Sequence, residues 1–126
     1  MHRSRLGTIV VDCQTDDLAQ AAAFWSAALG CAVLPPEKQT DDKYLELEPV
    51  NDDVKVLLQK VDHPSRVHID IETDDIDAEV ERLEKLGARN LGRIKRWCVM
   101  EAPSGQRFCV VRPQRRDFES RANRWS

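Results

Sequence analysis

The sequence predicts an α+β fold. Two βαβββ modules form a cupped mixed sheet with their helices on the outer face. Three observations lead there. The phrase Val-Asp-Cys-Gln-Thr-Asp-Asp-Leu at 11–18 returns as Ile-Asp-Ile-Glu-Thr-Asp-Asp-Ile at 69–76, an offset of 58 residues. Each copy leads into a helical pattern that ends in Leu-Gly, at Leu29-Gly30 and Leu86-Gly87. Short strand-like segments follow in both halves. A repeat of nearly half the chain constrains the whole architecture.

The first half opens with Gly7–Cys13, a β-branched run of strand length. Alternation puts Ile9, Val11 and Cys13 on one face and Thr8, Val10 and Asp12 on the other. Asp16 or Asp17 can cap the next helix by accepting hydrogen bonds from its free N–H groups. Leu18, Ala21, Ala22, Trp25, Ala28 and Leu29 form its apolar stripe, with Phe24 alongside. Gly30 suits the left-handed position that stops a helix. Three strands are expected next: Cys31–Leu34, broken by Pro35-Pro36, then Lys43–Glu48 and Val54–Val61.

His63-Pro64-Ser65 is a turn-like joint, and the plan repeats. In the strand Arg66–Glu72, Val67, Ile69 and Ile71 share one face and His68 and Asp70 the other. Asp75 or a neighbouring acid caps a helix with the stripe Ile76, Val80, Leu83 and Leu86. Glu81 and Lys85 stand four apart on its exposed side. Strands at Asn90–Ile94, Trp97–Glu101 and Arg107–Arg112 complete the half, with Pro103-Ser104-Gly105 as a hairpin turn. The expected organisation is one domain over 1–126, made of modules 6–62 and 66–113 and a tail 114–126. The tail is either mobile or docked through Phe118 and Trp125.

Composition narrows the function classes. A 41% hydrophobic and 33% charged chain of 126 residues fits one globular domain. A net charge of −3 gives no basic excess for nucleic acid. No apolar run is long enough to span a bilayer. Met1-His2-Arg3-Ser4-Arg5 is not followed by an apolar signal segment, so the expected location is cytoplasmic. The four cysteines form no Cys-x-x-Cys pair and are expected as free thiols.

Several stretches resemble the vicinal oxygen chelate superfamily of glyoxalase I, extradiol dioxygenases and bleomycin-resistance proteins. They are Asp17-Leu18 through Ala23-Phe24-Trp25-Ser26-Ala27-Ala28-Leu29-Gly30, Val67-His68-Ile69-Asp70-Ile71, Leu83-Glu84-Lys85-Leu86-Gly87-Ala88, and the run Ala102 to Val111. The resemblance covers roughly 6–113 and is nearest to small bacterial glyoxalase-like domain proteins. It implies a small-molecule ligand, a homodimer, and no nucleic-acid or membrane partner.

Metal-dependent members of that superfamily place one ligand on the first and one on the last strand of each half. The ion serves as a Lewis acid or as an oxygen-activating iron. The resemblance assigns those positions to Val10, Leu57, His68 and Cys109. Two aliphatic groups cannot ligate, so no metal and no cofactor are expected. If an ion is present, His68 and Cys109 hold it, with Zn, Ni, Mn or Fe as the alternatives and Asp12 or Asp70 as a substitute donor.

The remaining candidates carry two readings each. His68 is a ligand, or a polar cavity residue bonded to a neighbour such as Gln59. Asp12 and Asp70 are an acid/base pair, or solvated carboxylates and helix-start acceptors. Cys109 is a nucleophile with His68 as base, or a buried inert thiol. Trp97, Tyr44, Glu46 and Glu101 line the pocket, or Trp97 faces the helix layer. Arg93, Lys95 and Arg96 are solvated, or bind an anion. Three functions follow: a small-molecule-binding protein without the standard four-ligand site, a metal-dependent lyase/isomerase or dioxygenase using a non-standard site around His68, or a non-catalytic interaction module. Catalysis is expected, where present, from His68, Asp70 and Asp12. Val10, Leu57, Gln59, Trp97, Cys109 and Glu101 are expected to contact the ligand.

Overall fold

The computed structural model describes residues 1–35, 42–50 and 54–126. Pro36 of the expected strand break lies outside them. Among the described residues the chain is α+β, with eight strands. They are β1 (His2–Gln14), β2 (Tyr44–Leu47), β3 (Lys55–Val61), β4 (Arg66–Thr73), β5 (Arg89–Ile94), β6 (Trp97–Glu101), β7 (Arg107–Val111) and β8 (Asn123–Trp125). The helices are α1 (Leu18–Leu29), α2 (Ile76–Lys85) and the single turn α3 (Phe118–Arg121). Two compact units divide the chain: Ile9–Val67, and Met1–Thr8 with His68–Ser126.

In the unit Ile9–Val67, Asp17 caps α1 by accepting from the Gln20 N–H at 3.1 Å. Gly30 ends the helix at φ 71°, a conformation that costs glycine little. Strands β2 and β3 pair antiparallel, with Tyr44 opposite Gln59 and Glu46 opposite Leu57. Val11, Cys13, Leu18, Ala22, Leu47 and Leu58 form the core. The expected strand Cys31–Leu34 reduces to a single bridge between Val33 and Leu47. The stripe of α1 is buried only at its start, and Leu29 is exposed.

In the other unit the strand order is β4-β7-β6-β5. Strand β4 runs parallel to β7, and the other pairs are antiparallel. Asp75 caps α2 through the Ala78 N–H at 3.0 Å. Ile76, Val80 and Leu83 of α2 pack on Cys98, Met100, Phe108 and Val110. Alternation explains the choice, since each of these strand residues is two from the next. Leu86 lies beyond the end of the helix and is exposed, as is Ile69. With Ile71, Leu83, Ala88 and Phe108 they border an apolar pocket of about 240 Å³.

The main departure from the sequence reading lies at the termini. Strand β1 begins at His2, five residues before the expected start at Gly7. Its first residues pair with β8, His2 opposite Trp125 and Ser4 opposite Asn123. The tail is therefore docked. Phe118 is buried, and the Trp125 indole N–H donates to Ser4 Oγ at 2.8 Å. The Arg82 guanidinium stacks on the Trp125 ring at 3.9 Å.

Two carboxylates with no exposed surface organise this region. Glu72 receives Arg5 Nε at 2.7 Å, the Gln114 N–H at 2.7 Å and the Arg115 N–H at 3.3 Å. Arg5 also donates to Asp117 at 2.6 Å. Gly7 leaves room for Glu72: a Cβ there would meet its Cγ at 3.0 Å. Glu79 accepts two bonds from Arg82, both at 2.8 Å, and lies 2.7 Å from His2 Nε2. Hydrophobic patterning is blind to such a region, because its buried residues are charged.

Burial alone would raise the pKa of Glu79, but hydrogen bonds from Arg82, His2 and Ser4 hold it below its ordinary value of 4.5. Its contribution to stability is complete above that value and is lost as pH falls through the lower folded-state value. Denaturant melts should show stability declining below about pH 4.5, and Glu79→Gln should flatten that decline. Deleting residues 114–126 leaves Glu72 without two backbone donors. The expected loss is about 3–5 kcal/mol; a truncated chain as stable as the full one would contradict the docking.

Candidate functional site

Strand alternation gives each unit a face turned away from its helix. In the unit Ile9–Val67, Val11, Cys13, Leu45, Leu47, Val56 and Leu58 belong to the α1 core. Alternation then puts Val10, Asp12, Tyr44, Glu46, Leu57 and Gln59 on the opposite face. Val10 is buried and offers no donor. Gln59 Nε2 donates to the Tyr44 hydroxyl at 3.3 Å, and Lys55 pairs with Glu46 at 2.7 Å. Asp12 is 3% exposed, which corrects the reading of a solvated carboxylate. Arg66 Nε stands 3.7 Å from its Oδ2.

In the other unit, Cys98, Met100, Phe108 and Val110 face α2. Trp97, Val99, Glu101 and Cys109 therefore point the other way, as do His68, Asp70 and Glu72 of β4. Trp97 thus stands on the candidate face and not against the helix layer. Glu101 lies at the far end of β6, where Arg89 donates to it at 2.7 Å. Arg93 of the basic cluster is exposed and paired with Asp77 at 2.7 Å.

The parallel register of β4 and β7 sets Asp70 directly beside Cys109, with Val99 across from Cys109 on β6. His68 is two residues before Asp70 and projects to the same side. Its Nε2 is 3.5 Å from Asp70 Oδ1. One donor atom from each of His68, Asp70 and Cys109 lies within 4.8 Å of the other two. All three residues are half-buried. Asp70 Oδ1 is itself shielded from solvent and makes no hydrogen bond. Cys109 is not the fully buried thiol of the plainer reading.

This donor set suits a transition ion. Imidazole, carboxylate and thiolate are all zinc ligands, and three protein ligands leave an open position. Donors around such an ion stand roughly 3–4 Å apart, so a small inward shift closes the cluster. The set offers too few oxygens for calcium or magnesium. A nucleophile–base–acid relay fits less well. It would set Asp70 and Cys109 against opposite nitrogens of the imidazole, whereas these donors converge.

The sequence reading named His68, Asp70 and Cys109 as candidates while expecting no metal, and it missed Glu72, Glu79, Arg5 and His2. Only the Glu79–Arg82 pair had a signal, its three-residue spacing on a helix.

The fold is shared with solved structures. A hypothetical protein, BH1468 from Bacillus halodurans C-125, is similar with a TM-score of 0.62 at 11% identity, over 90% of this chain and 96% of that one. Methylmalonyl-CoA epimerase from Mycobacterium tuberculosis gives 0.62 at 16% identity, over 87% and 88%. An extradiol ring-cleaving dioxygenase from B. fuscum gives 0.60 at 17% identity, over 88% of this chain but 33% of the dioxygenase. At these identities the likeness concerns the fold. No curated protein matches the chain significantly. A family model for the glyoxalase-like domain matches residues 8–111. The chain belongs to that family, and with it to the vicinal oxygen chelate superfamily.

Proposed function

We propose that this glyoxalase-like protein binds a small molecule through a divalent transition ion held by His68, Asp70 and Cys109. The reading replaces the expectation of no cofactor with its alternative, a non-standard site around His68. The observation that carries it is the convergence of one donor atom each from His68, Asp70 and Cys109 to within 4.8 Å of one another, with Asp70 Oδ1 shielded from solvent and 3.5 Å from His68 Nε2. A carboxylate oxygen beside an imidazole and a thiol is a donor set that a transition cation can bridge.

The bound ion would supply Lewis acidity towards an oxygen of the ligand. The chain's own groups define the rest. His68 and Asp70 hold two donors in fixed relation, because both stand on one strand. Cys109 adds a third from the parallel neighbour. Trp97, two residues from Val99 on the same face, offers an aromatic surface for a flat ligand. Val10 and Leu57 carry no donor, whereas His68, Asp70 and Cys109 all belong to the unit that holds β4 and β7.

Chelator-stripped protein titrated with Zn²⁺ or Co²⁺ in a calorimeter should bind one ion per chain. His68→Ala and Cys109→Ser should each weaken binding by more than about 100-fold, exceeding the loss typical of outer-shell substitutions. Asp70→Asn should weaken it too, while leaving the metal-free protein as stable as before or more so. No heat of binding, and one melting temperature with or without Zn²⁺, would sink the reading. Ligand-induced stabilisation of that metal-free protein would then favour a direct polar site.

A further inference from the structure

We propose that Cys109 makes this site responsive to hydroperoxides: oxidation of its sulfur releases the ion, and thiol reduction restores binding. The proposal rests on the metal-binding reading above and concerns its regulation. It starts from the type of donor. Of the three residues, His68 and Asp70 are stable towards mild oxidants, whereas a thiolate is a two-electron reductant.

Position separates Cys109 from the other cysteines. Cys13 and Cys98 are buried, and burial pushes both thiols up, away from the reactive thiolate. Cys98 is also part of the core under α2. Cys31 is half-buried after the end of α1, with its sulfur 3.8 Å from the Leu29 carbonyl oxygen, a weak contact. Cys109 alone combines partial exposure with His68 and Asp70 as neighbours within 4.8 Å. A thiol that ligates a divalent ion is held as thiolate. Partial exposure admits an oxidant as small as hydrogen peroxide.

The step balances with a hydroperoxide as oxidant. The Cys109 thiolate attacks one peroxide oxygen; an S–O bond forms and the O–O bond breaks. The sulfur loses two electrons, and the departing hydroxide takes up the remaining peroxide proton to leave as water. The product is a sulfenate. Two equivalents of a small thiol return it to the thiol, with one disulfide and one water formed. A sulfenate spreads its charge onto the added oxygen and adds bulk at the sulfur, so it is a poorer ligand than the thiolate it replaces. The donor set falls from three to two, and the ion leaves.

The test uses zinc-loaded full-length protein carrying Cys31→Ser, which removes the other half-buried thiol. Hydrogen peroxide is added with a chromophoric zinc chelator present, and the cysteines are mapped by mass spectrometry. The expected result is release of one zinc per chain in step with one added oxygen on Cys109, and rebinding of zinc after dithiothreitol. Zinc retained under peroxide, or released with oxidation only at Cys13 or Cys98, overturns this proposal while leaving the metal site standing. Protein that binds no zinc at the outset overturns both.

Discussion

A carboxylate sealed from water must be met by donors, and Glu72 recruits them from two distant stretches of chain. Arg5 comes from the first strand, the N–H groups of Gln114 and Arg115 come from the start of the tail, and Gly7 leaves the space that the side chain fills. Removing the Arg5 guanidinium would take away the closest charged partner of a buried carboxylate, which is costlier than losing a surface pair. Both termini are therefore part of the unit that carries β4. Glu79 repeats the device on the helix side with His2, Arg82 and the Trp125 stack.

Strand β4 also positions the candidate site. Its period of two assigns Ile71 to the helix core and His68, Asp70 and Glu72 to the opposite face. Fixing Glu72 by charge fixes the strand's facing, since a slip of one residue would put every side chain on the wrong side. The parallel partner β7 then brings Cys109 beside Asp70. A structural carboxylate and a candidate metal ligand thus stand two residues apart on one strand and depend on the same register.

The repeated Thr-Asp-Asp phrase made the scaffold legible. Both second aspartates cap helices, and the helix and strand positions it implied are largely those observed. The face of each site residue was also legible, because alternation alone places His68, Asp70 and Cys109 opposite the core. Their convergence was legible only through the family resemblance, since periodicity leaves the β4–β7 register open. The termini were illegible for a different reason. His2, Arg3 and Arg5 look like a solvated basic start, and only their pairing with acids some 70 to 110 residues away turns them into strand. The exposed Ile69 and Leu86 reflect the opposite error, apolar residues that the short α2 does not cover.

The central claim is that His68, Asp70 and Cys109 hold an ion through nitrogen, oxygen and sulfur. X-ray absorption at the zinc edge of loaded protein tests it most directly. The account predicts one sulfur at about 2.3 Å and lighter scatterers at about 2.0–2.1 Å, with the sulfur shell missing in Cys109→Ser. A shell of light atoms only in the unsubstituted protein would contradict it.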